Sequence, residues 1–413
     1  MSIIRQYQWV AVAAFISIIF LLLEYFHRPY YYFDTDIEPD YLISSLFYLN
    51  GEAAWSFHHP GILVQKLGGL MSFFFELNLI DEAEKFLTAA KSLSVLINLV
   101  LLTYVCRKNW SFSINLGVIF PLFFLWPPTI HYLDYFGSDA YIASFSLVYA
   151  LNVLESLTDS DSNKMTNSSS KGLILISVLS AVLLTLKLST LPLVVLGTAA
   201  LTFKFFREEV RKIDSIKNTL ILVSTILFSL IIICLGIIDR LPSLLYRTLL
   251  REETRLQFTL QNFAIVILIC SVLMSSIYSK IRTATPLLFT QPAFLFLLIG
   301  NLLFLILLFS LEDLNSVYSS GVTFRNLSPF FIIFIITLGL IFKSSLRSPI
   351  VPLLLSICII GTTLHFASRN SLIEERKEKE TTVLEIFRKN NSQGFKNIFW
   401  FGSGDNNFLE EGF

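Results

Sequence analysis

"KGLILISVLSAVLLTLKLSTLPLVVLGTAALTFK", residues 171–204, carries charge only at its two edges and at Lys187. A membrane-spanning helix needs about 20 apolar residues, so the run is too long for one span and too apolar to lie in water. Lys187 and Pro192, near its middle, mark the break, since proline cannot continue a helix through its own position. The stretch therefore reads as two spanning helices joined by a tight hairpin, which makes the chain polytopic.

Apolar stretches of this kind recur at roughly 8–26, 84–105, 111–128, 140–157, 172–186, 189–206, 218–238, 263–279, 287–310, 328–342 and 350–367, about eleven in all. Composition agrees: 54% of residues are hydrophobic, 15% are charged and the mean hydropathy is +0.66, which sets the expectation of an all-α polytopic membrane protein. The first stretch has one upstream positive charge, Arg5, and no small-residue cleavage site after it, so it reads as a retained helix rather than a signal peptide. Formal net charge is zero and no basic tract with interleaved aromatics occurs, so no nucleic-acid partner is expected. Cys106, Cys234, Cys270 and Cys358 lie in or beside apolar runs without C-x-x-C spacing, which suits small buried hydrophobes rather than disulfides or zinc.

Basic residues set the expected orientation. Arg107 and Lys108, Lys164 and Lys171, the Lys204–Lys217 segment, Lys280 and Arg282, and Lys343 and Arg347 fall on one side of the span count, the cytoplasmic side by the positive-inside rule. The first loop, the His131–Asp139 turn, the Asp239–Arg255 loop, the Glu312–Asn326 loop and everything after residue 368 then share the external face. Residues 1–367 form one transmembrane domain, with a first external loop over 27–83, and 368–413 form an external polar tail. In that tail "SLIEERKEKETTVLEIFRKNNSQG" has the pattern of a charged helix and "FKNIFWFGSGDNNF" that of a strand and turn. The polar linker "DSDSNKMTNSSSK" reads as a cytoplasmic loop. No internal repeat and no inverted pair of broken helices is visible, which weighs against a transporter.

Charge concentrates in the first external loop. "FDTDIEPDYLISSLFYLNGEAAWSFHHPG", residues 33–61, holds five carboxylates and two histidines. Pro39 suits the first helical position and Leu42, Leu46 and Leu49 recur at helical spacing, so a short helix along the membrane surface is expected. One acid would suffice to cap it. Asp34, Asp36, Glu38 and Asp40 all crowd its start, so at least one is a candidate for chemistry. His58 and His59 sit at the mouth of a second amphipathic segment, "ILVQKLGGLMSFFFEL", and suit a metal, a phosphate or a proton.

A second acidic site is "WPPTIHYLDYFGSDAY", residues 126–141, with His131, Asp134 and Asp139; Asp139 alone also fits a helix cap. In "DRLPSLLYRTLLREETR", Arg247, Arg251 and Arg255 stand four apart on one helix face, against the positive-inside rule, and a basic stripe there suits an anion. Local pairing with Glu252 and Glu253, or headgroup contact, explains it equally. Lys187 and Arg325 add cations near helix ends, where snorkelling is the plain alternative. Carboxylates at such an interface deprotonate an acceptor or hold a divalent cation, and basic groups stabilise a leaving phosphate. Together these groups suit transfer from a lipid-linked phosphate donor.

An acid pair followed by tyrosine ("DIEPDY"), a glycine about ten residues on ("LNG") and a histidine–proline step ("HHPG") resemble the GT-C superfamily of integral-membrane glycosyltransferases. "LLTLKLSTLPLVVLG" resembles the lysine-bearing hairpin of that group, and "FRNLSPFF" its arginine-plus-proline start of a late span. The resemblance extends to the protein mannosyltransferase and aminoarabinose transferase types of that superfamily. The resemblance implies a polyprenyl-phosphate sugar as donor, a glycan, lipid or protein acceptor, and an inverting displacement without a covalent intermediate. It implies Asp36 or Asp40, Asp40 by preference, as base, with Asp139 as the second acid. Asp36 and Asp139 become the candidate ligands of Mg²⁺ or Mn²⁺, and Glu38, His58, His59, Lys187, Arg247, Arg251 and Arg325 the candidate substrate contacts. The expected location is a plasma or inner membrane, with the site on its periplasmic or extracellular face. A flippase or transporter of a lipid-linked or anionic solute, or a polysaccharide polymerase or ligase, are the alternatives.

Overall fold

Two helices and a tight turn occupy the Lys171–Lys204 run, as its length requires. The structure, a computed structural model, describes residues 38–49, 61–75, 80–126, 129, 132, 136–158, 167–208, 212–235, 291–309, 327–342, 356–357 and 360–361. Every regular element among them is helical: α1 (Glu38–Leu49), α2 (Ile62–Ser72), α3 (Ile80–Arg107), α4 (Leu116–Leu125), α5 (Asp139–Thr158), α6 (Asn167–Leu186), α7 (Leu191–Glu208), α8 (Lys212–Cys234), α9 (Gln291–Phe309) and α10 (Ser328–Ile341). A 3-10 turn, Leu188–Thr190, joins α6 to α7.

The apolar stretches between 84 and 238 and between 287 and 342 fall on α3 to α10. Four of these segments, Lys85–Arg107, Asp139–Thr158, Leu188–Arg207 and Ile213–Cys234, are long and apolar enough to cross a membrane; Leu116–Leu125, Lys171–Leu186, Pro292–Leu305 and Ser328–Ile341 are apolar but shorter. The stretches at 8–26 and 263–279 and the tail after 368 lie outside the described residues. Local chemistry explains why α4 is shorter than its apolar run. Asn115 caps its start by accepting from the Gly117 amide at 3.0 Å, and its own Nδ2 donates to the Phe342 carbonyl at 2.8 Å. At the other end Trp126 turns extended ahead of Pro127, which disfavours helical geometry in the residue before it.

Helix α5 is the centre of the bundle and packs against α3, α6, α7, α9 and α10. Within its span 83% of the residues are buried, against 17% for α8, whose Leu220, Phe228 and Ile231 face outward. An apolar outward face of this kind is what lipid contact requires. Close helix approach relies on small residues, as is usual between membrane helices. A Cβ on Gly339 of α10 would stand 2.7 Å from the Ile119 side chain of α4, and a Cβ on Gly300 of α9 would strike Ile333 of α10.

The bundle has two chemically different ends. At one, Lys108 pairs with Glu155, donates to Asn152 Oδ1 at 2.6 Å and lies 4.5 Å over the Trp110 ring, while Lys204 donates to the Ser156 carbonyl at 2.6 Å. These contacts bring the basic ends of α3 and α7 to the carboxyl end of α5, in keeping with the sequence-based grouping of those cations. The amino end of α5 lies about 30 Å away by its own rise, and α1, α2 and the Lys187 turn gather there. Lys66 of α2 donates to the Leu235 carbonyl, just past the end of α8, which ties α2 to this end. Burial lowers the Lys66 pKa, and the nearby Cys234 opposes that shift.

Candidate functional site

Helix α1 begins at Glu38, with Pro39 next and Asp40 in the first turn, as the proline spacing predicts. Tyr41, one residue on, is 1% exposed and donates from its hydroxyl to Ser138 Oγ at 2.9 Å, across 97 residues of chain. Its ring meets Phe136 edge-on at 6.1 Å between centroids, and Phe136 in turn meets Phe86 of α3 at 5.6 Å. Gly61, which closes the "HHPG" step, lies flat against the same ring: a Cβ there would stand 2.7 Å from Tyr41 Cε1. The backbone can pass this close only without a side chain. Two turns along α2, a Cβ on Gly68 would stand 2.6 Å from Phe136 and would also strike the Ser45 hydroxyl. The two halves of the acidic loop thus fold onto each other and onto the 136–138 turn.

Asp139 is the first residue of α5 and follows Ser138 directly. Its Oδ1 accepts from Lys187 Nζ at 2.8 Å, and the two side chains are only 6% and 17% exposed. Lys187 is a single extended residue between α6 and the 3-10 turn, with φ −162° and ψ 136°. Its backbone is fully used: the amide donates to the Leu183 carbonyl at 3.0 Å, and its carbonyl accepts from the Thr190 amide at 3.1 Å and hydroxyl at 2.7 Å. Asp139 is therefore more than a cap and Lys187 does not snorkel. Each is the other's counter-ion inside the protein, where a charge is kept only when paired.

Helix α3 supplies a cation that composition alone hides. Lys91 is 3% exposed, within the Lys85–Arg107 span. The polar residues Ser94 and Asn98 follow it at helical spacing on the face turned toward α5. Ser94 Oγ meets the Tyr141 hydroxyl at 2.6 Å, and Asn98 Nδ2 donates to the carbonyls of Ser94 and Ala140, each at 3.0 Å. Lys91 lies on α3 between Phe86, which packs on Phe136, and Ser94, which bonds Tyr141, so it belongs to the end of the bundle where α5 starts. Lys91 thus places an ionisable side chain inside an apolar span. A lysine flanked by serine and asparagine at helical spacing was the available signal.

The structure brings Tyr41, Ser138, Asp139 and Lys187 together, and Lys91 is buried on α3 at the same end of the bundle. Glu38 and Asp40 are described in backbone only; Asp36, His58, His59, His131, Asp134, Arg247, Arg251, Arg255 and Arg325 lie outside the described residues. No group of three or more His, Cys, Asp or Glu side chains clusters among the described residues. Lys187 holds Asp139 Oδ1, so a hard divalent cation at this carboxylate would have to share it with that ammonium or displace it. Chemically, the arrangement offers a largely buried carboxylate paired with the Lys187 ammonium, a second, buried lysine on α3 and a helix amino terminus at one end of the bundle. That set suits recognition of an anion beside a proton-accepting group. The chain matches no protein-family profile, no curated protein and no solved structure.

Proposed function

We propose that the chain is a membrane glycosyltransferase of the GT-C kind, with about eleven spans, that moves a sugar from a polyprenyl-phosphate donor to an acceptor on the external face. One observation carries this reading. Four stretches that resemble the superfamily's pattern or its second acidic loop, "DIEPDY", "HHPG", "GSDAY" and "LKLST", meet at Tyr41, Gly61, Ser138–Asp139 and Lys187 although they are far apart in sequence. Residues that served only as helix caps would have no reason to converge.

In the reaction, Asp40, or Asp36 beside it, takes the proton of the acceptor hydroxyl. The acceptor oxygen attacks the anomeric carbon and inverts it, and the bond to the phosphate oxygen breaks with its electron pair leaving on the phosphate. Lys187, with the external Arg247, Arg251 and Arg325, neutralises that phosphate. Mg²⁺ or Mn²⁺ on Asp36 and Asp139 would supply further charge stabilisation when bound. His58, His59 and Glu38 are the remaining candidate substrate contacts.

The test is transfer by the full chain in liposomes supplied with polyprenyl-phosphate sugars. Asp40→Asn is expected to abolish transfer and to spare donor binding, whereas asparagine substitutes well for aspartate at a cap. An active Asp40→Asn variant moves the base to Asp36, and activity in both single variants ends the enzyme reading. Buried Lys91 favours one second reading, movement of a lipid-linked solute across the membrane, since ionisable groups inside spans often mark solute paths. Flux of an unaltered lipid-linked sugar, without transfer, would establish that alternative.

A further inference from the structure

We propose that Asp139 is a resident counter-ion occupying the place of the donor's phosphate: Lys187 exchanges the Asp139 carboxylate for the incoming phosphate, and the carboxylate so released becomes available to the acceptor or to a divalent cation. The proposal rests on the lipid-phosphate donor reading. It resolves a conflict that reading contains, because Lys187 is assigned to the phosphate yet is bound to Asp139 at 2.8 Å.

Three features make exchange feasible. The pair joins a fixed element to a movable one. Asp139 opens the most buried span of the bundle and is 6% exposed, whereas Lys187 is a lone extended residue with a long flexible side chain. The Lys187 backbone is held by Leu183 and Thr190, so the ammonium can swing on its own rotatable bonds with no helix disturbed. Neither charge is stranded afterwards. Lys187 has the incoming phosphate, and Asp139 sits in the first turn of a 20-residue helix, whose amino terminus favours a carboxylate. The incoming phosphodiester matches the carboxylate it replaces, with two non-bridging oxygens and one negative charge to accept from the ammonium. The consequence is order: the Asp139 carboxylate is withheld until the donor is seated, so the donor binds before any partner of that carboxylate.

Removing the resident anion should therefore tighten phosphate binding, the opposite of what removing a positioning residue would do. The probes are polyprenyl phosphate and, as its uncharged control, polyprenol, titrated against the full chain in detergent with thermal protection as the readout. Asp139→Asn is expected to lower the Kd for polyprenyl phosphate by about tenfold, the gain from abolishing a competing closed state that dominates the unliganded protein. Polyprenol affinity should not move. Adding Lys187→Met should erase the gain. If Asp139→Asn does not accumulate as folded protein, Asp139→Ser takes its place, keeping a side chain that hydrogen-bonds in a first turn.

Unchanged or weaker binding of polyprenyl phosphate by the folded Asp139 variant overturns the exchange while leaving the donor reading intact, provided the unaltered chain prefers polyprenyl phosphate to polyprenol. Equal binding of the two by the unaltered chain overturns the donor reading and the exchange together. Inorganic phosphate competing as strongly as polyprenyl phosphate would make this a site for a free anion and overturn the lipid assignment.

Discussion

The Asp139–Lys187 pair makes an energetic prediction that separates a buried ion pair from a surface one. At 2.8 Å, and with an effective dielectric constant of about 20, the attraction is about 6 kcal/mol. Desolvation costs several kcal/mol per ion, so the net contribution of the pair is small while that of either ion alone is strongly unfavourable. Asp139→Asn, which removes the carboxylate that Lys187 donates to while no phosphate is bound, should destabilise the protein by about 3–5 kcal/mol, and Lys187→Met by less, because the amino terminus of α5 still favours the Asp139 carboxylate. The double variant removes both charges and should cost no more than the worse single one. The assay is equilibrium unfolding in mixed micelles over a denaturing-detergent series, read by circular dichroism, with all four proteins in parallel. Additive losses, with the double variant at the sum of the singles, would refute the reasoning, since independent sites add and coupled ones do not.

Three further outcomes follow from the same geometry. Gly68→Ala places a Cβ 2.6 Å from Phe136, which is fully buried, and should destabilise the α1–α2 unit by about 1–3 kcal/mol; faster hydrogen exchange in α1 than in α5 would localise the damage. Tyr41→Phe keeps the ring contacts and loses the 2.9 Å bond to Ser138, costing about 0.5–1.5 kcal/mol. Its turnover should fall with donor affinity unchanged, which a comparison of kcat with the donor Kd would reveal. Lys108→Ala removes a cation paired with Glu155 at the far end of the bundle, where the two side chains are 25% and 21% exposed. It should cost about 1 kcal/mol of stability and leave transfer intact, and thermal unfolding beside a transfer assay checks both.

Much of the scaffold was legible because hydropathy and helix-breaking residues are local signals. The break in the 171–204 run falls at Lys187, five residues before Pro192, and α1 starts at Glu38, which puts Pro39 in its first turn. The basic residues Lys108 and Lys204 meet the carboxyl end of α5 together, as their grouping by charge implied. The Asp139–Lys187 pair was not legible as a pair. Its members are 48 residues apart, and no periodicity links a helix start to a hairpin one span later. Lys91 was missed for the opposite reason: averaging hydropathy over the 84–105 run hides one lysine among leucines and valines. The burial of its face against α5 is a tertiary fact. Sequence identified candidate residues on either side of the site, and only packing showed which of them neutralise one another.

The most direct test of the shared donor site is photo-crosslinking of the full chain with a polyprenyl phosphate carrying a diazirine beside the phosphate, followed by mass-spectrometric mapping of the labelled peptides. The account predicts label both in the α1–α2 segment, residues 38–72, and in the segments around Asp139 and Lys187, competed away by unlabelled polyprenyl phosphate and absent from the Arg107–Lys108 end. Label confined to the Arg107–Lys108 end, or label in only one of the two acidic segments that excess polyprenyl phosphate fails to displace, would contradict it.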